Sequence, residues 1–154
     1  MSDLVFMMGE YEAVIPSDRR YARNHMWAKP HNDSEFRFGF RFGFTAYAVR
    51  LLQDVYFLDW TVDEGAALNE RQQIGAIESK KAESDLFSPV GGVLSAFNAE
   101  LLSDPSAINV DKYEQGWLFD MASDGESLLS PEGYVKHLES VWEVTQRTIK
   151  GQLS

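Results

Sequence analysis

The stretch Gln73-Ile-Gly-Ala-Ile-Glu-Ser-Lys-Lys-Ala-Glu-Ser-Asp-Leu-Phe-Ser-Pro-Val-Gly-Gly92 decides how the rest of the chain is read. Two short runs with apolar alternation, Ile74/Ala76 and Leu86/Phe87, flank a polar segment with a lysine pair at its centre. The pattern is strand, turn, strand, and it sets Lys80 and Lys81 at the exposed tip of a β-hairpin. A solvated amine does little chemistry by itself. Its interest is as a tether, because an isolated, reachable amine is what a modifying enzyme can acylate.

Upstream lies the clearest strand signal. Phe36, Phe38, Phe40, Phe42 and Phe44 alternate with Arg37, Gly39, Arg41 and Gly43. A period of two predicts one strand with an aromatic, buried face and Arg37 and Arg41 outward. The glycines mark a bulge or a close backbone approach. Thr45 is placed to cap a short helix through Leu52, with Tyr47, Ala48, Leu51 and Leu52 on its buried side. Further strands are expected at Tyr21–Ala28, Val55–Trp60, Val93–Phe97 and Tyr113–Met121. Ser103-Asp-Pro105 breaks the loop and short helical turn between the last two. Ser130-Pro131 forms an N-cap and first-turn pair, and Tyr134, Leu138, Val141 and Trp142 fall at helical spacing, so a C-terminal helix reaching Lys150 should pack Trp142 against the sheets. The organisation expected is an N-terminal extension over 1–20, without clear periodicity, a β domain over 21–123 and a C-terminal helical segment over 124–154. The fold class is mainly β, a small sandwich or barrel with short helices.

Composition limits the function. At 154 residues the chain is most simply one folding unit with a real core. A net charge of −10 and a pI near 4.7 disfavour nucleic acid and anionic membrane surfaces. There is no cysteine, so any sulfur chemistry must come from a bound group. The run Leu4-Val-Phe-Met-Met8 lacks a basic start and is too short for a signal peptide or a membrane span, which points to the cytoplasm. His25, His31 and His137 show no paired metal-ligand spacing. No phosphate loop or nucleophile elbow is present, so neither a catalytic residue nor a metal site is assigned.

Glu78-Ser-Lys-Lys-Ala-Glu-Ser-Asp-Leu-Phe-Ser-Pro-Val-Gly-Gly92 resembles the lipoylation hairpin of glycine-cleavage H proteins, roughly Glu-Ser-x-Lys-Ala-x-Ser-Asp followed by x-x-Pro-x-x-Gly. Tyr21-Ala-Arg-Asn-His-Met-Trp27 is similar to the family's early Tyr…His-Glu-Trp signature. Gly43–Ala48, Val55–Asp59, Gly116-Trp117 and the Leu128/Tyr134 region look like its later segments. The resemblance runs from about Tyr21 to Leu138. It implies the barrel-sandwich hybrid (hammerhead) of lipoyl domains and a lipoic acid held covalently on Lys81, with Glu78, Asp85, Asn24 and Met26 at the turn or the cleft of the arm. It also implies a carrier rather than a complete enzyme, served by a lipoate-protein ligase or lipoyl synthase system.

Two cargoes follow from where the chain departs from the family. Met26 replaces a glutamate, Asn24 a common serine, and Lys80 a small apolar residue. These changes, the Phe-rich strand, Leu58-Asp-Trp60 and the long C-terminus look similar to the lipoate-binding proteins of sulfur oxidation, whose partners are heterodisulfide-reductase-like enzymes. Sulfur cargo is the expectation on that ground, since a methionine suits a soft sulfur surface. The alternative is an H protein proper, carrying the aminomethyl group among the P, T and L proteins of glycine cleavage. A biotinyl carrier would bracket its lysine with methionines, where this chain has Lys80 and Ala82. An unmodified lipoyl-like domain is the remaining reading.

Overall fold

The alternating phenylalanines form the strand about which the larger sheet is organised. The computed structural model describes residues 2–31 and 38–153, with side chains to 146. Its elements are β1 (Leu4–Met8), β2 (Tyr11–Ile15), β3 (Arg20–Tyr21), β4 (Met26–Pro30), β5 (Gly39–Phe44), α1 (Ala46–Leu52), β6 (Val55–Trp60), β7 (Ala67–Leu68), β8 (Gln73–Ser79), β9 (Glu83–Phe87), β10 (Gly92–Phe97), α2 (Glu100–Ser103), α3 (Ala107–Val110), β11 (Phe119–Ala122) and α4 (Pro131–Leu153). The strands make a β1–β2 hairpin, a sheet in the order β3-β4-β5-β11-β10-β7 and a smaller sheet in the order β6-β8-β9. The chain is mainly β with a C-terminal helix.

The main core lies between the two larger sheets. Phe40, Phe42, Phe44, Leu94 and Phe119 from one meet Leu58, Ile74, Ile77 and Leu86 from the other. A second core joins Phe6 and Ile15 of the hairpin to Tyr21, Trp27, Tyr47, Tyr134 and Leu138. Strand β4 serves both. Its alternation sends Met26 and Ala28 into the main core and Trp27 into the second. Gly43 makes this possible, since a Cβ there would stand 2.5 Å from the Trp27 ring. Close approach, rather than a bulge, therefore explains the glycines of β5. Gly39 likewise faces the His31 carbonyl oxygen at 2.7 Å from a hypothetical Cβ.

Several expectations need correction. Phe40, Phe42 and Phe44 are buried, but Phe38 is 72% exposed. The ladder between β5 and β11 ends at Gly39↔Ala122, so the alternation continues past the end of the strand. Phe36 and Arg37 lie outside the described residues. Arg41 points away from the main core, stacks on Trp117 and pairs with Asp120 at 2.9 Å. The expected strand Tyr21–Ala28 divides into β3 and β4, because the chain turns at His25, whose φ is +70°. The stretch 1–20 is not an irregular leader. Phe6, Met8, Ala13 and Ile15 point inward from a hairpin, with Val5, Met7 and Val14 outward, an alternation too short to stand out in the sequence. Tyr113–Gly116 is a turn rather than a strand, and Trp117 and Leu118 lead irregularly into β11.

The helices follow their caps. Thr45 caps α1, whose buried residues are Ala46, Tyr47 and Val49 rather than the whole Tyr47/Ala48/Leu51/Leu52 set. Ser130 Oγ accepts from Gly133 N at 3.0 Å to start α4, which ends at Leu153. Trp142 on α4 packs edge-on to Phe6 and Tyr47, so it meets the hairpin and α1 rather than the sheets. Among the described residues no helix is long and apolar enough to cross a membrane.

Burial along β5 sets a stability contrast. Phe42→Ala should cost about 3–5 kcal/mol, while Phe38→Ala should stay within about 0.5 kcal/mol. Urea unfolding of the two variants checks this, and equal losses would contradict the end of the strand at Gly39.

Candidate functional site

The lysine hairpin takes its shape from its neighbours. Strand β8 pairs with β6 on one side and β9 on the other. A bulge between Gln73 and Gly75 shifts the alternation, so Ile74 and Ile77 are the buried pair and Ala76 is only half-buried. A side chain at Gly75 would bring a Cβ within 2.3 Å of the Asp59 carbonyl oxygen, so glycine lets β6 lie close. Beyond Ile77 the strands run out to the turn through the pair Glu78↔Glu83.

The turn is closed twice by Ser79. Its backbone N donates to Ala82 O at 2.8 Å, and its hydroxyl accepts from Ala82 N at 3.1 Å. The backbone of the lysine pair is then bound to the segment between α1 and β6. Lys80 N donates to Asp54 O at 2.8 Å and Lys81 N to Leu52 O at 3.4 Å. Sequence reading missed this anchorage, and no side-chain pattern signals it, because both acceptors are backbone carbonyls. Lys80 and Lys81 are exposed, and among the described residues neither forms an ion pair. The result is a reachable amine on a fixed root.

The other expected site residues divide. Glu78 and Asp85 are exposed on the hairpin, Asp85 opposite Ala76. Asn24 is exposed at the turn before β4, where its side-chain amide donates to Phe87 O at 3.0 Å. It lines an open depression with Arg23, Arg71, Phe87 and Ser127 at the base of β9. That places Asn24 at the far end of β9 from the turn, about 17 Å away for five residues of strand. Met26 does not join this surface. It is 1% exposed in the main core, because the period of β4 turns it inward between the sheets. Its side chain packs in the main core.

His25, beside Asn24, holds the turn. Its ring packs against Tyr47 and stacks near His137, with Nδ1 3.0 Å from the Tyr134 hydroxyl. The Tyr134 hydroxyl also lies 2.8 Å from Thr45 Oγ1, the cap of α1. His137 Nε2 donates to Arg23 O at 3.0 Å, so two histidines distant in sequence brace one turn. Among the described residues no group of three or more acidic or histidine side chains is arranged to hold a metal ion.

The profile of the family described as Glycine cleavage H-protein matches residues 19–141. The chain is similar to the glycine cleavage system H protein of Pseudoalteromonas atlantica, with 39% identity over 81% of this chain and 96% of the relative. It is similar to that of Rubrobacter xylanophilus, with 38% identity over 82% of this chain and 97% of the relative. Among solved structures it resembles the glycine cleavage system H protein from Mycobacterium marinum. The TM-score is 0.67 and the identity 30%, over 82% of this chain and 98% of that one.

The buried turn has a pH signature. Burial, helped by the neighbouring His137, pushes the His25 imidazole from 6.5 down to about 4. The unfolded chain binds the extra proton between those values, so stability is complete above about 6.5 and is lost as pH falls towards about 4. The loss should approach about 3 kcal/mol from this residue. Urea unfolding at pH 7.5 and 4.5 measures it. His25→Asn, which tolerates the positive φ, should flatten the difference.

Proposed function

The chain belongs to the glycine cleavage H-protein family, and we propose that it is a lipoyl carrier with Lys81 as the attachment residue. The observation that carries the reading is Lys81 itself: an exposed amine at a hairpin turn whose backbone is hydrogen-bonded in place, inside the stretch that fits the family's lipoylation pattern. The residues suit the group. A primary amine can form the amide, the Ser79–Ala82 closure presents it, and the exposed side chain, which forms no ion pair among the described residues, leaves room for an acylating enzyme. Lipoate supplies the dithiol that takes up and hands over cargo, which a chain without cysteine cannot do. The chain's own work is to fix the root of the arm and to expose it to successive enzymes.

We propose the aminomethyl group as the cargo, with the P, T and L proteins as partners, a lipoylating system upstream and the cytoplasm as the compartment; the likeness to glycine cleavage system H proteins supports this reading. The sulfur cargo and heterodisulfide-reductase-like partners expected above lack support. The named relatives are glycine cleavage H proteins, and the argument from Met26 fails because that side chain lies in the core. A cationic cargo needs a counter-charge. Asp85, on the exposed side of β9, is the acid that fits this need, and Asn24 borders the far end of the same strand.

Peptide mass spectrometry of the native protein should find lipoyl on Lys81 and none on Lys80. Lys81→Arg should abolish carrier activity in reconstituted glycine decarboxylation while leaving the unfolding midpoint unchanged. Lipoyl on Lys80 alone, or full activity of the arginine variant, would overturn the assignment.

A further inference from the structure

Strand β6 carries two aromatic side chains that strict alternation would not expose together. Val55 is buried, so Phe57, two residues on, should be buried too. The register between β6 and β8 slips at this point: Val55 faces Ser79, and Phe57 faces Glu78. The extra residue is Tyr56. A bulge re-aims the side chains that follow it, and here it leaves Tyr56 62% and Phe57 48% exposed. Leu58 then returns to the core. The bulge therefore puts a large apolar ring into water where an unbroken strand would bury it.

The place is specific. Phe57, Glu78 and Glu83 form one row across the three strands, the row next to the lysine turn. The next outward row is Asp59, Ala76 and Asp85. Glu78 and Glu83 stand directly opposite each other, an arrangement that costs stability between like charges. Neither glutamate forms an ion pair among the described residues. Segment 52–54, which binds the backbone of Lys80 and Lys81, runs straight into β6. The aromatic pair is thus continuous with the root of the arm, and its rim is acidic.

Resting on the reading of Lys81 given above, we infer that the outer face of β6-β8-β9, centred on Phe57 and Tyr56, is where the enzyme that loads the Lys81 arm docks. The matching surface is an apolar pocket with a basic rim. Such a surface buries the exposed rings and relieves the repulsion between Glu78 and Glu83. An exposed aromatic beside unpaired charges is the composition of an interface centre with a polar rim.

The test uses fully lipoylated protein, verified by mass, as the substrate of the decarboxylating partner enzyme. Tyr56→Ser/Phe57→Ser should raise KM for the carrier about tenfold or more and leave kcat within about twofold. Wild-type KM should rise with added salt, and Glu83→Gln/Asp59→Asn should reduce that dependence. Val5→Ser, on the N-terminal hairpin, serves as the control for an exposed apolar residue elsewhere. An unchanged KM in the aromatic variant would overturn the inference. So would a concentration-dependent dimer that the aromatic variant abolishes, since the face would then receive a second copy. If the lipoylated wild type is itself no substrate, the reading of the function fails instead, and the two failures are distinct.

Discussion

Both cores depend on the Trp27 indole lying against the backbone of Gly43. The ring leaves β4 on the side opposite Met26 and Ala28, crosses β5 where that strand has no side chain, and donates from Nε1 to Lys112 O at 3.0 Å. Arg19 sits over it at 4.8 Å and Tyr113 packs beside it. Tyr113 in turn reaches the hairpin and the start of α1 through its hydroxyl. One large ring thereby ties the sheet, the hairpin and the connection to β11 together. A methyl group at position 43 would displace it and loosen both cores at once, which burial area alone would not reveal.

Legibility in the sequence followed how local the cause was. The β5 alternation, the Thr45 and Ser130 caps and the lysine turn are written in neighbouring residues, and each appears in the structure close to where the pattern puts it. Errors came where a distant partner decides. Phe38 alternates correctly but has no paired strand around it to bring it under the core. The hairpin β1–β2 is too short for its pattern to be heard, and it is stabilised by Tyr47 and Trp142 from far along the chain. Bulges at β6 and β8 moved Phe57 outward and Ile77 inward; the β6 bulge has no glycine to mark it, and Gly75 beside the β8 bulge gives no sign of which way the alternation shifts.

The site shows the same division. The hairpin turn that exposes Lys80 and Lys81 is local and was legible, and the structure leaves Glu78 and Asp85 exposed on the same hairpin. Asn24 reaches the hairpin through the hydrogen bond its side-chain amide donates to Phe87 O, a partner far along the chain. Met26 was read from its place between His25 and Trp27 alone, and its inward direction follows from pairing opposite Phe44, which only the sheet determines. A substitution in a signature carries functional meaning only when its side chain faces the function.

The backbone bonds under Lys80 and Lys81 have a consequence for reach. With the peptide N–H groups held by Asp54 and Leu52, whatever is attached to Lys81 swings from a stationary pivot, and all its slack lies in the side chain and the tether. The end of such an arm explores a fixed cap of solvent above the three-stranded sheet. Within that cap its effective concentration is on the order of millimolar, and outside it is zero. On the proposed reading of Lys81 as the attachment residue, enzymes that use the arm in succession each present an active site inside one small volume, so they compete for the same space and take turns rather than bind together.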